Sequence, residues 1–499
     1  MNAVADTIVG APGLTPAVAA SGELKPSIPV KLVYSVGQTI ESGYLVISGF
    51  VFFYYTAVLG LSGSMVGTAL GLSMCVDAVI DPMIGSISDN VRSRYGRRLP
   101  MMVIGAPLVG LALWMLFSPP LGLAPLWLFA WLVASKLALR AVASLYNLPY
   151  AALGAEMASG YEERASVAAY RGFFGVAVSL IMVIVAYSVF FGGHDGLQIR
   201  ERYPSFGRAM GLLLFAGGAV ACLGVWRYAR GLPQPTTPSA PLLSGLTREL
   251  SEVFRNTSFR ALFASALLFW ILAGINGALN NHAYIFVWKL QPQQIQFIAI
   301  SFYISIMAGV PVARYVAARV EKRTACMVGL GVLMASLTVV HGLRALGVIH
   351  PTGDAAMWIL IVNVGIAGFG LAFPVVAYPA MMADAADEHE LLFGARREGL
   401  YFAGLGFASK AATGLGQVAA GFALDALNFP KAAGVAVNAV VPEHTLRLLI
   451  LAWGPFAALF GVASIVSLLW YRVSRARHAE IAAALRVKRA DDLSAGRSS

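Results

Sequence analysis

Charge is what this chain has least of. Only 12% of its 499 residues are Asp, Glu, Lys or Arg, against about a quarter in an ordinary globular domain. Cysteine is nearly absent. Cys75, Cys222 and Cys326 all fall in apolar stretches, with no metal-ligand spacing and no expected disulfide. The seven histidines are scattered and form no ligand pair, and His282 reads as a core histidine. There is no Gly-rich phosphate loop, which argues against ATP drive. No nucleophile or metal-binding motif supports an enzyme, and no cofactor is expected. The first 36 residues lack a charged n-region followed by an apolar h-region, so no cleaved signal peptide is expected.

What fills the chain instead is apolar: 58% of residues are hydrophobic. Long apolar stretches recur, each sufficient to cross a hydrocarbon core of about 30 Å. In lipid every backbone polar group must be satisfied internally, so these are helices. Twelve are read, over 38–60, 65–89, 100–118, 125–154, 167–191, 208–229, 259–288, 294–318, 325–347, 355–383, 398–425 and 447–471. The net charge of +11 is not a nucleic-acid signal, because the basic residues concentrate in alternate loops. One side carries Arg92, Arg94, Arg97 and Arg98, then Arg164 and Arg171, Arg227 and Arg230, Arg314 to Arg323, and the C-terminal arginines. The positive-inside bias places both termini in the cytoplasm. A multi-pass protein of the cell membrane follows, in a bacterium its inner membrane.

Six spans precede the Pro-rich stretch from Gly231 to Pro238 and six follow it. The reading is an all-α membrane protein of two six-helix bundles: a disordered segment 1–37, a first bundle 38–230, a linker 231–257, a second bundle 258–471 and a basic tail 472–499. The tail suits either the anionic inner leaflet or plain solvent. Each half carries a basic turn after its second span, ending at Arg98 and running from Arg314 to Arg323. That placement suggests a duplicated unit, and transporters built from paired repeats bind substrate near the midplane.

Asp77 and Asp81 lie one helical turn apart in the apolar second span, so both carboxylates share a face. An ionisable residue at membrane depth is a functional hypothesis by default, a buried salt bridge being the structural alternative. Lys136, Arg140, Ser144, Asn147 and Ala151 likewise mark one face of the fourth span. With Glu41 and Lys410, three acids and three bases balance inside the membrane, as a mutually paired set should. Lys136 and Arg140 either pair with Glu41 or an acid of the second span, or bind an anionic group such as a uronide carboxylate.

These residues carry a specific resemblance. Asp77-x-x-x-Asp81-Pro82-x-x-Gly85, then Asp89 and Arg94-Tyr95-Gly96-Arg97-Arg98-x-Pro100, is similar to the helix 2–3 signature of the glycoside–pentoside–hexuronide:cation symporters, the melibiose-permease-like branch of the major facilitator superfamily. Tyr146-Asn147-Leu148-Pro149-Tyr150 through Glu156 resembles the helix 4 motif. Glu163-Arg164 with Tyr170-Arg171 resembles the turn into helix 5, and Gly394 to Ala403 with Lys410 resembles helix 11. The resemblance implies a major facilitator fold with 12 transmembrane helices and cation-coupled import of a glycoside, pentoside or hexuronide. It implies that Asp77 and Asp81 hold the coupling cation, H+ or Na+, near Lys410. It also implies that Glu41, Asn147 and Arg171 contact substrate.

Two departures stand out. Ile80 replaces the amide that sodium-using members place before the second acid. Sodium is a hard cation that wants several oxygen ligands, so a proton is favoured although Ser144 remains available. Ala151 replaces an aromatic of some sugar-binding members; Tyr54, Tyr55, Tyr146, Tyr150, Trp270 and Tyr401 are the candidate substitutes. In the expected mechanism, ionised helix 2 acids attract Lys410, and a cation on them releases it, so only the empty or doubly loaded carrier reorients. Asp89, Arg94, Arg97 and Arg98, and in the second half Asp384, Asp387, Glu388, Arg396 and Arg397, are candidate gating residues. The expected partners are a small-molecule substrate and membrane lipid, with no nucleic acid, and the expected state is a monomer. The alternatives are an exporter or lysolipid carrier of the same fold and, more remotely, a membrane-embedded transferase.

Overall fold

The computed structural model describes residues 25–232, 246–394, 397–431 and 441–495, and no strand occurs among them. The long helices are α1 Ile28–Val58, α2 Gly63–Asn90, α3 Leu99–Phe117, α4 Pro125–Glu156, α5 Glu162–Phe190 and α6 Arg202–Arg230. There follow α7 Thr257–Val287, α8 Pro292–Arg319, α9 Lys322–Ala345, α10 Gly353–Phe393, α11 Glu398–Ala426 and α12 Glu443–Leu468. Among the described residues eleven helices are long and apolar enough to cross a membrane. The exception is α11, whose Lys410, Gln417 and many glycines dilute its apolar content.

Two boundaries differ from expectation by about a helical segment. The first span begins at Ile28 rather than 38, so residues 28–36 are helical and not part of a disordered leader. Pro29 suits the first turn, where its missing N–H is no loss. Lys31 looks like the end of an apolar run, yet it is buried and paired with Glu163 at 2.6 Å, also donating to Ser166 at 2.9 Å. At its other end α10 continues ten residues past 383, through helix-favouring but polar residues that hydropathy does not follow. The tail is also helical, over Arg475–Ala495, and docks on the second unit. Its Ile481 and Leu485 are buried. Its Arg475 guanidinium caps the last carbonyls of α8, donating to Ala318 at 2.8 Å.

Contacts divide the chain into two units. Among the described residues one comprises those up to Leu61, Leu72–Leu232 and Lys431; the other comprises Ser62–Gly71, Leu246–Pro430 and those from 441 onward. In the second unit the N–H groups of Gly63 and Ser64 donate to the Asp425 carboxylate at 2.7 and 2.8 Å, a charge-assisted cap on the start of α2.

The same helix pairs recur in each unit. In the first, α1 packs on α5 and α6, and α3 on α4 and α6. In the second, α7 packs on α11 and α12, and α9 on α10 and α12. A local device repeats as well. Both α1 and α7 end in a single π-helical turn, Tyr54–Val58 and Ala283–Val287. The N–H of Leu59 reaches Tyr54 O and that of Leu61 reaches Tyr55 O, both at 2.9 Å. Trp288 and Leu290 repeat the pattern on Ala283 and Tyr284 at 3.1 and 3.0 Å. Between each pair sits a residue in the left-handed region, Gly60 (φ 78°) and Lys289 (φ 49°). The register continues into helix interiors, with Pro82 in α2 matching Pro311 in α8.

Candidate cation and substrate site

The chemistry gathers in the first unit, where α1, α2, α4 and α5 each present one polar stripe. On α4 the side chains of Lys136, Arg140 and Ser144 are buried, and each has a defined partner. Arg140 pairs with Asp77 of α2, and the Asp77 side chain is only 1% exposed. Arg140 Nη1 also donates to the Tyr44 hydroxyl at 3.1 Å. One turn earlier, Lys136 lies 4.9 Å over the Tyr44 ring and donates to Ser48 Oγ at 3.3 Å. Two buried cations therefore share one tyrosine, as a hydrogen-bond acceptor and as a π-face. One turn later, Ser144 donates to Asp81 Oδ1 at 2.6 Å. The two acids of α2 thus have different neighbours, a guanidinium for Asp77 and a hydroxyl for Asp81.

Glu41 does not pair with Lys136 or Arg140. It accepts from Gln38 Nε2 at 3.0 Å, one turn back on α1. Gln38, Ser42, Arg171 and Ser179 line a cavity of about 310 Å³ between α1 and α5, floored by glycines Gly172 and Gly175. That volume is at the lower end of the roughly 300–1,000 Å³ of small-molecule sites. Arg171 also interacts with Glu41 and the Tyr34 hydroxyl. Asn147 is half-buried, with no hydrogen-bond partner for its Oδ1 among the described residues.

Tyr150, expected as a substrate contact, packs against Tyr34 in this structure. It is fully buried and stacks on Tyr34 with centroids 4.5 Å apart. Each hydroxyl donates to the other's carbonyl, at 2.9 and 3.1 Å, tying α1 to α4. Gly37 makes the room, since a Cβ there would stand 2.6 Å from the Tyr150 ring. Of the other candidate aromatics, Tyr54, Tyr55, Tyr146 and Tyr401 are buried, and Trp270 is exposed. Lys410 is half-buried on α11 in the second unit.

The basic turn after α2 forms a compact charge knot. Gly96, at φ 89°, folds the chain so that Arg97 and Arg98 point back at the end of α4. Arg98 pairs with Asp89 at 2.5 Å and with Glu156 at 2.8 Å, and donates to Ser88 at 2.9 Å. Arg97 reaches the same Glu156 oxygen at 2.7 Å. Arg94 stands outside the knot, 4.7 Å over the ring of Tyr95. In the second unit Asp384 pairs with Lys322 at 2.6 Å and with His478 of the tail helix at 3.5 Å; His478 also reaches Asp387 at 3.3 Å. Arg397 is half-buried at the start of α11, and Arg396 lies outside the described residues.

Gln38, Tyr44, Ser48 and Glu156 were not singled out from the sequence. The first three had a signal, since Gln38, Glu41, Tyr44 and Ser48 recur at three or four along α1.

Over residues 34–475 the chain matches a family model described as MFS/sugar transport protein. The chain belongs to that family. Its place is in the glycoside–pentoside–hexuronide:cation symporter group, and it is a multi-pass membrane transporter rather than an enzyme. The isoprimeverose transporter of Lactiplantibacillus pentosus is 23% identical, covering 87% of this chain and 86% of its own. A glucuronide carrier protein homolog of Escherichia coli strain K12 is 24% identical, over 77% of this chain and 80% of its own. Among solved structures, a D-xylose–proton symporter matches with a TM-score of 0.59 at 14% identity, covering 89% of this chain and 96% of that one, a likeness of fold. The transporter is therefore a secondary carrier of sugars.

Proposed function

We propose that this transporter is a proton-coupled symporter that imports a neutral glycoside or pentose-containing sugar by alternating access, in a bacterial inner membrane with both termini cytoplasmic. The observation that carries the reading is the division of the α2 acids. Asp77 is already compensated by Arg140, while Asp81 meets the Ser144 hydroxyl. A proton on Asp81 would be exchanged beside the Ser144 hydroxyl, apart from the Asp77–Arg140 pair. A neutral substrate is favoured because the two buried bases have internal partners, Arg140 on Asp77 and Lys136 on Tyr44 and Ser48. A substrate carboxylate on Arg140 would have to break its buried pair with Asp77, which is costly. Sugar hydroxyls instead match the Gln38, Ser42, Arg171 and Ser179 lining, and the names of relatives point to sugars. The coupling role of Lys410 rests on the family resemblance.

The test is a screen of labelled neutral glycosides and uronides in proteoliposomes under an imposed pH or sodium gradient. Uphill accumulation of a neutral sugar should follow the pH gradient. Asp81→Asn should abolish that accumulation and leave sugar exchange, and Lys410→Ala should impair coupling. Undiminished accumulation by Asp81→Asn, or drive by sodium alone, overturns the proton reading. Preference for uronides overturns the neutral-substrate reading.

A further inference from the structure

The Asp77–Arg140 pair bears on ion selectivity. Two carboxylates one turn apart are a natural holder for a metal cation, which needs several hard oxygen ligands and a net negative pocket. Here the charge condition is not met at Asp77. The Asp77 side chain, 1% exposed, already has a guanidinium against it. That guanidinium cannot swing away freely, because its Nη1 is also bonded to the Tyr44 hydroxyl at 3.1 Å. A second fixed cation, the Lys136 ammonium, lies over the same tyrosine ring at 4.9 Å. Among the described residues Lys136 makes no ion pair, so its charge adds to that of Arg140 instead of being cancelled. The side chain between the acids that could have supplied an oxygen is Ile80. Around Asp77 the residues present therefore do not fit an alkali metal ion.

We propose that Arg140 is a tethered counter-cation that takes the place of a mobile metal ion on Asp77 and so determines which cation the transporter can use. Lys136 reinforces it, and Tyr44 holds both in position. The inference rests on the proposed role of α2 in coupling, but its test does not require the sugar to be known.

The probe is the metal alone. Purified protein is heated in increasing NaCl or LiCl against choline chloride at constant ionic strength, and unfolding is followed by size-exclusion recovery. Wild type should show no saturable stabilisation by Na+ or Li+. Arg140→Gln, which removes the guanidinium from Asp77, should show a saturable upward shift in melting temperature that Arg140→Lys lacks. The neutral pair Asp77→Asn/Arg140→Gln should fold and lose the Na+ shift again. Saturable Na+ stabilisation of wild type overturns the proposal, as does an Arg140→Gln protein that folds yet ignores Na+ and Li+. Failure of the neutral pair to fold also overturns it, since a counter-cation is dispensable once its acid is gone. Failure of Arg140→Gln to fold in both Na+ and choline does the same, because a mobile cation should replace the tethered one. In proteoliposomes, accumulation by wild type driven by sodium refutes both this inference and the proton reading. Proton-driven wild type with a sodium-indifferent Arg140→Gln refutes this inference alone.

Discussion

Glu156→Ala isolates the charge knot at the end of α2. One oxygen, Oε1, receives Arg97 Nη2 at 2.7 Å, Arg98 Nε at 2.9 Å and Arg98 Nη2 at 2.8 Å. Glu156 keeps 23% of its side chain exposed, and Arg98 only 9%. An exposed ion pair is worth about 0.2–1 kcal/mol, and breaking a buried one costs about 3–5 kcal/mol. This site lies between, and Asp89 remains to hold Arg98, so a loss of about 2 kcal/mol is expected. Each kcal/mol lowers the melting temperature of a unit of this size by about 2–4 °C, giving a fall of about 4–8 °C. Glu156→Gln keeps one acceptor and should lose about half as much. The assay is thermal unfolding of purified protein in detergent. A double-mutant cycle with Arg98→Ala should show coupling of at least about 1 kcal/mol. Raising salt should narrow the wild-type advantage only in part, because the knot is mostly shielded. A melting temperature for Glu156→Ala within about 1 °C of wild type, or strict additivity in the cycle, would refute the assignment.

Two other expectations concern the first unit. Arg171→Gln and Gln38→Ala should raise the KM for sugar severalfold while leaving the dependence on the pH gradient intact; equal loss of coupling would place them in the ion pathway. Gly154→Ala should destabilise more than Tyr150→Phe, because its Cβ would collide with the Tyr34 hydroxyl, whereas the phenylalanine loses only one hydrogen bond worth about 1 kcal/mol. The reverse order of melting temperatures would show that the tyrosine pair is held by its hydrogen bonds and not by close packing.

Most of the helical plan was legible because apolar length is a one-dimensional signal. It failed where charge and helix coexist: at Lys31, whose partner Glu163 is remote in sequence, and along residues 384–393, which are polar but helical. The candidate site was legible as faces and not as pairs. Spacing put Lys136, Arg140 and Ser144 on one side of α4 and Asp77 with Asp81 on one side of α2. Which base met which acid depends on the rotation and height of each helix, and no single helix encodes that. Glu41 was as plausible a partner for Arg140 as Asp77. Tyr150 shows the same limit, since an aromatic in an apolar helix has the same spacing whether it faces a sugar or another tyrosine.

The matching π-turns of α1 and α7 act as a ruler between the halves. They set Tyr54 against Ala283, Gly60 against Lys289 and Leu61 against Leu290, and the same register brings Pro82 onto Pro311. Read along that ruler, Asp77 falls on Ile306 and Asp81 on Val310. The local plan recurs in both halves, but these carboxylates stand in one half only. On the proposed coupling role, the acids of energy conversion stand in the first half, and the matching positions of the second carry apolar residues.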